Sequence, residues 1–524
     1  MIDNGRTGVV SQSWWIRIAL ILSLLTIGGL AVVLNRHQLR NTAKEWFAQV
    51  DLFVYNTVYQ FNNPSAKSLT PFPPEKSRGP LRVSSINSRY FTDESGKAIL
   101  LVGSHTWSDF IDNSRTDPPA QFNYTKYLDD LQKYHHNFIR LWRAENAKGG
   151  EASPNYWFFP LPYARTGPGN AWDGKPKFDL NQFDQSYFDR MRDRVVQAGQ
   201  RGMYVSIMLF DGWSVESKTF AEHQPWPGHP LNANNNINGV NGDLNGDGQG
   251  TETHTEANST VLALQQAYVR KVIDTVNDLD NVLYEIVNED TGSAANTTWQ
   301  ANLITYIKNY EATKAKRHPV GMTAQYPNQS NTVLFNSPAD WIAPSGIAPN
   351  TWDNPIVGDG SKVVLNDTDH LCGICGVNRT WVWKSFTRGL NPIFMDQYDG
   401  VDEGRGSFPN YNPNDPTDVS VRLNLGYALT YAERMNLVAM TPRGIEVASS
   451  GYVLASNSDY LVYLPTGGKV QVNLSATPGT LTVEWFNPNN GTTIDGGTTS
   501  GGTFQSFTPP FAGDAILFLS AKLP

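Results

Sequence analysis

The chain has 524 residues, of which 40% are hydrophobic and 12% aromatic, and its formal net charge is −8. This length exceeds what a single hydrophobic core usually serves, so two or more domains are predicted. The acidic balance excludes a nucleic-acid partner, which would need a basic face. The 15 Trp and 22 Tyr residues suit clefts that stack against neutral polyols and hydrogen-bond to them.

An apolar run without charges, residues 18–34, lies near the N-terminus. With the preceding Trp14 and Trp15 it approaches the length of about 20 residues that crosses a bilayer, and these tryptophans stand where an interfacial aromatic belt would lie. A cleaved signal peptide is the alternative, but no small-x-small cleavage site stands near Leu34. We therefore predict an N-terminal transmembrane helix, a retained anchor over residues 1–36, with the rest of the chain outside the cytoplasm.

Residues 37–80 separate this anchor from the body of the protein. Apolar residues recur every three to four positions from Leu39 to Phe61, which is the pattern of an amphipathic helix. Such a helix would lie on the membrane surface, pair with a second copy or pack on the main domain. Residues 62–80 are rich in proline and are predicted to form a spacer.

Short apolar runs alternate with segments of helical periodicity between about residues 98 and 440. This order predicts parallel strands joined by crossover helices, and eight such units match the size of a (β/α)8 barrel with insertions. We predict an α/β fold with a TIM barrel over residues 81–442. Its strands are predicted within residues 98–107, 137–143, 203–213, 281–289, 319–326, 339–345, 362–370 and 391–399.

The pattern changes after residue 442. Short apolar runs follow at close spacing, and turn signals such as TGG, NPNNG and DGG separate them. Residues 443–524 are therefore predicted to form a small all-β sandwich domain.

The predicted barrel strands end repeatedly in polar or aromatic residues. In a closed barrel these ends converge on one rim, where barrel enzymes hold their active sites. Turn chemistry or ordinary core packing would explain any one of these residues, but not the whole set. The residues assigned to substrate binding at this rim are His105, Trp107, Arg140, Trp142, Asp211, Trp213, Asn288, His370 and Asp396.

Glu289 is the predicted general acid/base. It follows Asn288 at the end of the fourth strand, where the amide would hold a sugar hydroxyl while the carboxyl group protonates the leaving oxygen. Hydrolysis also needs a second carboxylate on the opposite face of the sugar. The seventh strand offers Asp369 as nucleophile and Asp367 as the second choice, and both point the same way if the strand continues through them.

Three further carboxylates have other predicted roles. Asp396, at the end of the eighth strand, is a third candidate for the second carboxylate, although substrate binding suits it better. Glu285 lies in the middle of a strand and is predicted to pair with Arg140. Asp290 is predicted to begin the next loop.

Long segments of the chain resemble a family of bacterial glycoside hydrolases. The resemblance extends from about Leu81 to the C-terminus and is carried by NSRYFTDESGKAILLVGSHTW, NFIRLWR, YVRKVIDTVNDLDNVLYEIVNED and NDTDHLCGICGVNRTWVWKSFTRGLNPIFMDQYD. Members have a (β/α)8 barrel and a small β-domain labelled "putative collagen-binding", and endo-apiosidase-like pectin enzymes are among the nearer relatives. The resemblance implies a retaining glycosidase with carboxylates on strands four and seven. An Asp in place of the family's strand-seven Glu leaves an inverting mechanism as the alternative.

Residues 241–252, NGDLNGDGQGTE, resemble a 12-residue calcium loop. A metal-free loop rich in Gly and Asn is the alternative, since Asn replaces the usual first Asp and no helix precedes the segment. No cofactor is required for the predicted reaction. The ligands of a structural calcium ion would be Asn241, Asp243, Asn245, Asp247 and Glu252.

The predicted function is a membrane-anchored glycoside hydrolase that cleaves an extracytoplasmic polysaccharide or glycan by a two-carboxylate mechanism. The alternative is a catalytically inactive carbohydrate-binding barrel that is displayed for adhesion. A protease is disfavoured, because the chain contains neither HExxH nor GxSxG.

Overall fold

The chain divides into two compact units, residues 1–67 and 68–524. Of the first unit, the structure describes only Ala66 and Lys67, which belong to the short strand Ala66–Ser68. The computed structural model describes residues 66–71, 76–150, 153–218, 223–327, 330–346, 353–372, 377–396 and 414–521.

The predicted membrane anchor, residues 1–36, and the predicted amphipathic helix lie outside the described residues. Among the helices that are described, none combines the length and the apolar composition that a membrane span requires. The anchor therefore stays a prediction.

Parallel strands close into a barrel, as predicted. Neighbouring strands pair in chain order, and the last strand pairs with the first. Every residue of these strands is buried, as is typical of parallel strands that are covered on both faces. The barrel strands are β1 (Gly103–His105), β2 (Phe138–Leu141), β3 (Tyr204–Asp211), β4 (Val282–Asn288), β5 (Val320–Thr323), β6 (Trp341–Ala343), β7 (Val363–Asp367) and β8 (Asn391–Met395).

Each of the eight predicted strand segments contains one of these barrel strands. Helices lie in most of the connections between them, none being described between β6 and β7, and a last helix follows β8. In the described part of the chain these helices are α1 (Tyr124–Lys133), α2 (Gln185–Gln200), α3 (Ser259–Val276), α4 (Ala294–Glu311), α5 (Asn331–Asn336), α6 (Thr368–Cys372), α7 (Arg379–Thr387) and α8 (Pro416–Arg434).

Helix α3 shows how local sequence sets these elements. The side chain of Asn258 caps its first turn by accepting hydrogen bonds from backbone N–H groups, and apolar residues then recur at three-to-four spacing on the buried face. The sequence pattern predicts Leu264 in this buried stripe, but Gln265 is buried there instead. The reason is that its amide donates to the Thr253 carbonyl at 2.7 Å and accepts from Trp299 Nε1 at 3.1 Å.

The connections after β2 and β3 are long and carry structure that the sequence pattern does not predict. An antiparallel ribbon, Tyr163–Asn170 paired with Pro176–Phe183, follows β2. The backbone N–H and C=O groups of Phe178 bond to Asn235 and Ile237 of the next connection, so the two connections hold each other. Smaller elements are the sheet of Arg82–Val83, Phe91–Thr92 and Ala98–Ile99, the pair Asp112–Ser114 and Trp157–Phe159, and 3₁₀ turns at Gly212–Ser214, Trp226–Gly228, Thr251–His254 and Leu437–Ala439.

The C-terminal part is all-β, as predicted. A larger antiparallel sheet and a two-stranded sheet form it, and the predicted boundary after residue 442 falls inside the strand Thr441–Arg443. The sequence pattern does not predict three of the strands, which are Thr441–Arg443, Val453–Ala455 and Thr492–Ser500. The others are Asp459–Leu464, Val470–Asn473, Thr480–Asn487, Phe504–Phe507 and Ala515–Ala521.

This β part packs directly against the barrel. Trp383 of α7 and Tyr431 of α8 lie in one buried apolar cluster with Phe486 and Phe518 of the larger sheet. The Tyr431 hydroxyl also donates to Glu484 at 2.7 Å. The shared core fixes the β part on the side of the barrel formed by α7 and α8.

Candidate active site

A buried arginine occupies the carboxyl end of the barrel. Arg140 of β2 donates to both oxygens of Glu285 on β4, with Nη2–Oε1 at 2.7 Å and Nε–Oε2 at 2.9 Å, so the predicted pairing is confirmed. Its Nη1 donates to Asp367 at 3.0 Å and to Asp369 at 3.2 Å. The side chain of Arg140 is 1% exposed and is occupied by protein carboxylates, and its assignment to substrate binding stays a prediction. A buried charge needs such partners.

Asp367 belongs to the same buried network. Its Oδ1 lies 2.9 Å from Nε2 of His105 and accepts the backbone N–H of Asp369 at 3.0 Å. Burial acts to raise the pKa of Asp367, but the charges of His105 and Arg140 outweigh it and hold that pKa well below its usual value. Asp367 is therefore fully engaged by protein groups, and the completely buried His105, predicted to bind substrate, contacts Asp367.

Asp369 does not lie on a strand. Strand β7 ends at Asp367 and helix α6 begins at Thr368, so the prediction that one strand continues through both aspartates is wrong. The Thr368 hydroxyl accepts the backbone N–H of Met395 on β8 at 2.7 Å. This hydrogen bond to β8 fixes the position of Thr368, the first residue of helix α6.

Glu289 and Asp369 are the predicted catalytic residues that keep some exposure, 13% and 10% of their side chains. His370 Nδ1 lies 3.9 Å from Oε1 of Glu289 and 3.7 Å from Oδ2 of Asp369. The distance between Oε1 of Glu289 and Oδ2 of Asp369 therefore cannot exceed the sum of these two distances. That sum is below the upper limit of about 9.5 Å for carboxyl pairs that hydrolyse glycosidic bonds.

The two carboxyl groups have opposite pKa shifts. Burial and the negative charge of Glu289 raise the pKa of Asp369 to about 6. Burial also acts to raise the pKa of Glu289, but His370, the hydrogen bond from Trp213 and the charge of Lys218 hold it below its usual value. The ligand-free site thus places the proton on Asp369 and the negative charge on Glu289 at mildly acidic pH.

The backbone of Glu289 is strained. Its φ is +43°, in the left-handed region that Glu rarely adopts. Trp213 Nε1 donates to its carboxylate at 2.6 Å, and Lys218 Nζ donates to its carbonyl at 2.7 Å and to the Tyr326 carbonyl at 2.8 Å. Such strain persists only where surrounding contacts over-determine the conformation, which is common at functional sites.

A buried histidine supports the residue after Glu289. His254 lies between two carboxylates, with Nδ1 2.7 Å from Asp290 and Nε2 3.1 Å from Glu145. Burial acts to lower the pKa of His254, but Asp290 and Glu145 raise it to about 10, so the ring is an imidazolium at neutral pH. Asp290 was predicted only to begin a loop, and it is in fact an ion-pair partner.

These contacts continue from Glu145 back to Trp213. Glu145 Oε1 accepts the backbone N–H of Asp211 at 2.8 Å, and the Asp211 carboxylate accepts from the Ser214 hydroxyl at 2.8 Å and from Trp213 N–H at 3.4 Å. Asp211, predicted to bind substrate, is therefore a buried cap of the turn that carries Trp213. A closed ring of contacts reaches Glu289 from both sides.

Buried polar atoms without a protein partner lie beside this ring. Asn288 accepts from Arg140 through Oδ1 at 3.1 Å, whereas its Nδ2 has no hydrogen-bond partner among the described residues. The two ring nitrogens of His370 also make no hydrogen bond to the described residues, although Nδ1 lies within 4 Å of Glu289 and Asp369. Buried atoms of this kind are rare and costly, so a ligand hydroxyl is an apt partner for them.

Aromatic rings line the same end of the barrel. Trp213 stacks on Tyr326 with ring centroids 6.1 Å apart, and Trp107 meets Trp142 edge to face at 6.4 Å. Trp107 and Trp213 are partly exposed, whereas Trp142 is buried and covers the Arg140 guanidinium at 5.1 Å. Trp142 thus packs against the buried charged network, whereas Trp107 and Trp213 are exposed enough for the predicted contact with a sugar.

Asp396 is separate from this group. Both of its oxygens accept hydrogen bonds from Arg422 of α8, at 2.6 and 2.7 Å, and its side chain is completely buried. The assignment of Asp396 to substrate binding, and its candidacy as second carboxylate, stay predictions. A fully paired buried carboxylate contributes to the attachment of α8.

The predicted calcium loop, residues 241–252, uses its polar groups internally. The Asp243 carboxylate accepts two glycine N–H groups at 2.7 and 3.0 Å, and the Asn245 amide donates to Glu252 at 2.9 Å. Across the described ranges of the chain, no group of three or more His, Cys, Asp or Glu side chains is arranged to hold a metal ion. The calcium ligands therefore stay a prediction.

Sequence reasoning missed four residues of the site: Lys218, Tyr326, Glu145 and His254. Each lies in a connection and not at a strand end, and contacts with Glu289 or with its neighbours arise only when distant segments meet. The clustering of polar residues after β2, in RAEN, was the one local signal.

Two family models match parts of the chain. Residues 122–338 match a domain of unknown function, DUF6298, and residues 444–520 match the "Putative collagen-binding domain of a collagenase". No curated protein matches the chain.

Three solved structures that are similar to this chain are described as glycoside hydrolases. One is a glycoside hydrolase with 16% identity and a TM-score of 0.52, covering 87% of this chain and 99% of that chain. A glycoside hydrolase of family 5 from Bacteroides vulgatus ATCC 8482 has 14% identity and a TM-score of 0.55, covering 87% and 95%. A putative glycoside hydrolase from the same organism has 11% identity and a TM-score of 0.52, covering 84% and 82%. At these identities the likeness shows the fold.

Proposed function

We propose that the protein is a glycoside hydrolase that cleaves a polysaccharide or glycan with Glu289 and Asp369 as its two carboxyl groups. The observation that carries the proposal is their meeting across His370 at one end of a closed barrel. Glycosidic hydrolysis needs one protonated group for the leaving oxygen and one ionised group on the opposite face. At mildly acidic pH one carboxyl group of the pair is protonated and the other ionised, although in the ligand-free site the proton lies on Asp369.

Neighbouring groups support the binding of a sugar at this pair. The Asn288 Nδ2 and the His370 ring nitrogens are polar atoms that ligand hydroxyls would satisfy. The stacked pair of Trp213 and Tyr326 offers an aromatic surface for the apolar face of a sugar ring.

The two roles within the pair follow from the sequence prediction, with Glu289 as general acid/base and Asp369 as nucleophile in a retaining mechanism. Because the proton of the ligand-free site lies on Asp369, these roles require that it passes to Glu289 when the substrate binds. Chemical rescue tests the roles on a substrate with an activated leaving group. With azide, Asp369→Gly is expected to yield a glycosyl azide of inverted configuration, and Glu289→Ala one of retained configuration. If the two variants give the opposite configurations, Glu289 is the nucleophile and Asp369 the general acid/base.

The decisive experiment compares full-length wild-type protein with Glu289→Gln on a panel of plant and microbial polysaccharides, with released reducing ends as the readout. Loss of the acid/base group is expected to lower kcat/KM by about 10³-fold or more while the fold is kept. Glu446→Gln, an exposed carboxylate of the β part, is the matched control and should retain activity. Glycan binding by the wild type without any hydrolysis would instead favour the inactive carbohydrate-binding alternative.

We also propose that the protein acts outside the cytoplasm and is held to a membrane by residues 1–36. The apolar run 18–34 supports this proposal. Membrane fractionation of the full-length protein, followed by protease treatment of intact cells or spheroplasts, tests it. A protein that is removed from membranes by alkaline carbonate would contradict the anchor.

A further inference from the structure

A cavity of about 470 Å³ lies between the β2–α2 connection and the β3–α3 connection, apart from the residues of the catalytic pair. Its volume falls within the range of about 300 to 1,000 Å³ that is usual for small-molecule sites. Its lining includes Asn170, Trp172, Trp226, Asn232, Asn234 and Asp243.

Trp172 is a fixed and exposed indole at this cavity. It is 39% exposed, and its backbone N–H donates to Asn235 Oδ1 at 2.8 Å. Asn235 is completely buried, and its Nδ2 donates to the carbonyls of Pro227 and His229 at 2.7 and 2.8 Å. The Lys148 ammonium lies 4.8 Å from the indole centroid. A large aromatic surface that is held in place in this way is suited to the apolar face of a sugar ring.

The polar lining indicates what kind of sugar fits. Side-chain amides from three asparagines and the Asp243 carboxylate offer donors and acceptors for hydroxyl groups. The Asp243 carboxylate of the lining and the Lys148 ammonium beside the indole have opposite charges, so together they offer no net charge that would favour a uronate. Neutral sugars therefore fit this cavity better than uronates.

A short chain of contacts connects the cavity with the catalytic end of the barrel. The ring of Trp213, which bonds the catalytic glutamate, lies 5.4 Å from the ring of His223. The next residue, Gln224, donates its N–H to the Gly149 carbonyl at 3.1 Å. A Cβ atom at Gly149 would lie 3.0 Å from the Trp172 indole, so the two are in close contact.

From these observations we propose that the cavity binds neutral sugar units of the same polysaccharide chain, several units away from the bond that is cleaved. This inference rests on the proposed function for the identity of the ligand. It implies that the protein holds an extended chain at two places, so that loss of the Trp172 indole weakens binding of polymers.

The test measures binding separately from catalysis. Full-length Glu289→Gln protein is run in affinity gels that contain glucomannan, xyloglucan, arabinan or polygalacturonate. Trp172→Ala in that background is expected to lower affinity for the neutral polysaccharide that binds by about tenfold, which corresponds to the loss of one good aromatic contact. Asn234→Ala should lower it by about threefold. Phe504→Ala, which removes a 63% exposed ring from the β part, is the matched control and should change nothing.

Each outcome separates the cavity from the catalytic pair. Unchanged binding in Trp172→Ala, tighter binding of polygalacturonate than of the neutral polymers, or no binding of any of the four overturns the cavity proposal. Hydrolysis by the wild type combined with no effect of Trp172→Ala overturns the cavity alone. Weaker binding in Trp172→Ala without hydrolysis by the wild type supports the cavity and overturns the hydrolase.

Discussion

Two sets of charged side chains at the carboxyl end of the barrel differ in how fully their charges are compensated. The arginine cluster consists of Arg140 with its carboxylate partners Glu285 and Asp367. In it the guanidinium bonds both oxygens of Glu285 and one of Asp367. The rim pair consists of Glu289 and Asp369. It has a strained glutamate backbone, an aspartate pKa of about 6 and a neighbouring Asn288 amide nitrogen that makes no hydrogen bond to the described residues.

The difference separates a stabilising arrangement from a reactive one. Asp367 and Asp369 are two residues apart and both contact Arg140. Burial acts to raise the pKa of both, but neighbouring positive charge lowers the pKa of Asp367, whereas the negative charge of Glu289 raises that of Asp369 further. Complete compensation leaves a carboxylate inert, whereas a nearby negative charge keeps a carboxyl group ready to take or give a proton. Three variants would sharpen or break this comparison.

The largest effect is expected for Arg140→Met, which leaves the carboxylates of the arginine cluster buried without their cation. We expect the free energy of unfolding to fall by about 3 to 5 kcal/mol, because a buried charge loses its partner. Urea unfolding followed by tryptophan fluorescence measures this. Arg192→Met breaks an exposed pair with Asp278 and should cost less than about 1 kcal/mol. If both variants lose the same free energy of unfolding, the arginine cluster does not stabilise the fold more than an exposed ion pair does.

A somewhat smaller loss, about 3 kcal/mol at pH 6, is expected for His254→Gln, which removes the imidazolium between Asp290 and Glu145. The folded-state pKa of about 10 exceeds the unfolded value near 6.5, so this stabilisation is complete below pH 6.5 and is lost as the pH rises toward 10. Thermal melts at pH 6, 8 and 10 should therefore show the gap to wild type narrowing. A gap that is constant across this range would contradict a charged His254.

The smallest effect, and one of opposite sign, is expected for Asp369→Asn in the rim pair. Its folded-state pKa of about 6 lies above the unfolded value of 3.8, so ionisation destabilises the wild type as the pH rises through this window. The variant should be more stable than wild type by about 2 kcal/mol at pH 8 and no more stable at pH 4. Asp367→Asn is the matched comparison and should be destabilised at pH 8. Urea unfolding at both pH values measures these differences. Destabilisation of both variants at pH 8 would contradict the opposite pKa shifts of the two aspartates.

The barrel could be predicted from the sequence because parallel strands buried on both faces appear as continuous apolar runs. The pairing of Glu285 with Arg140 could be predicted for a related reason, since a carboxylate inside such a run requires a cation. The ribbon Tyr163–Asn170 and Pro176–Phe183 could not, because its burial alternates weakly and much of it is exposed.

The sequence by itself determined the eight strands, the all-β C-terminal part and the place of Glu289 at the end of β4, because each depends on local periodicity. Only the tertiary structure decided that Asp369 and not Asp367 faces Glu289, and that Asp396 is paired with Arg422. It also decided that His254 lies between Glu145 and Asp290, 109 and 36 positions away in the chain. The physical reason is that charge compensation acts over a few ångströms in space, whereas a sequence pattern records only neighbours along the chain.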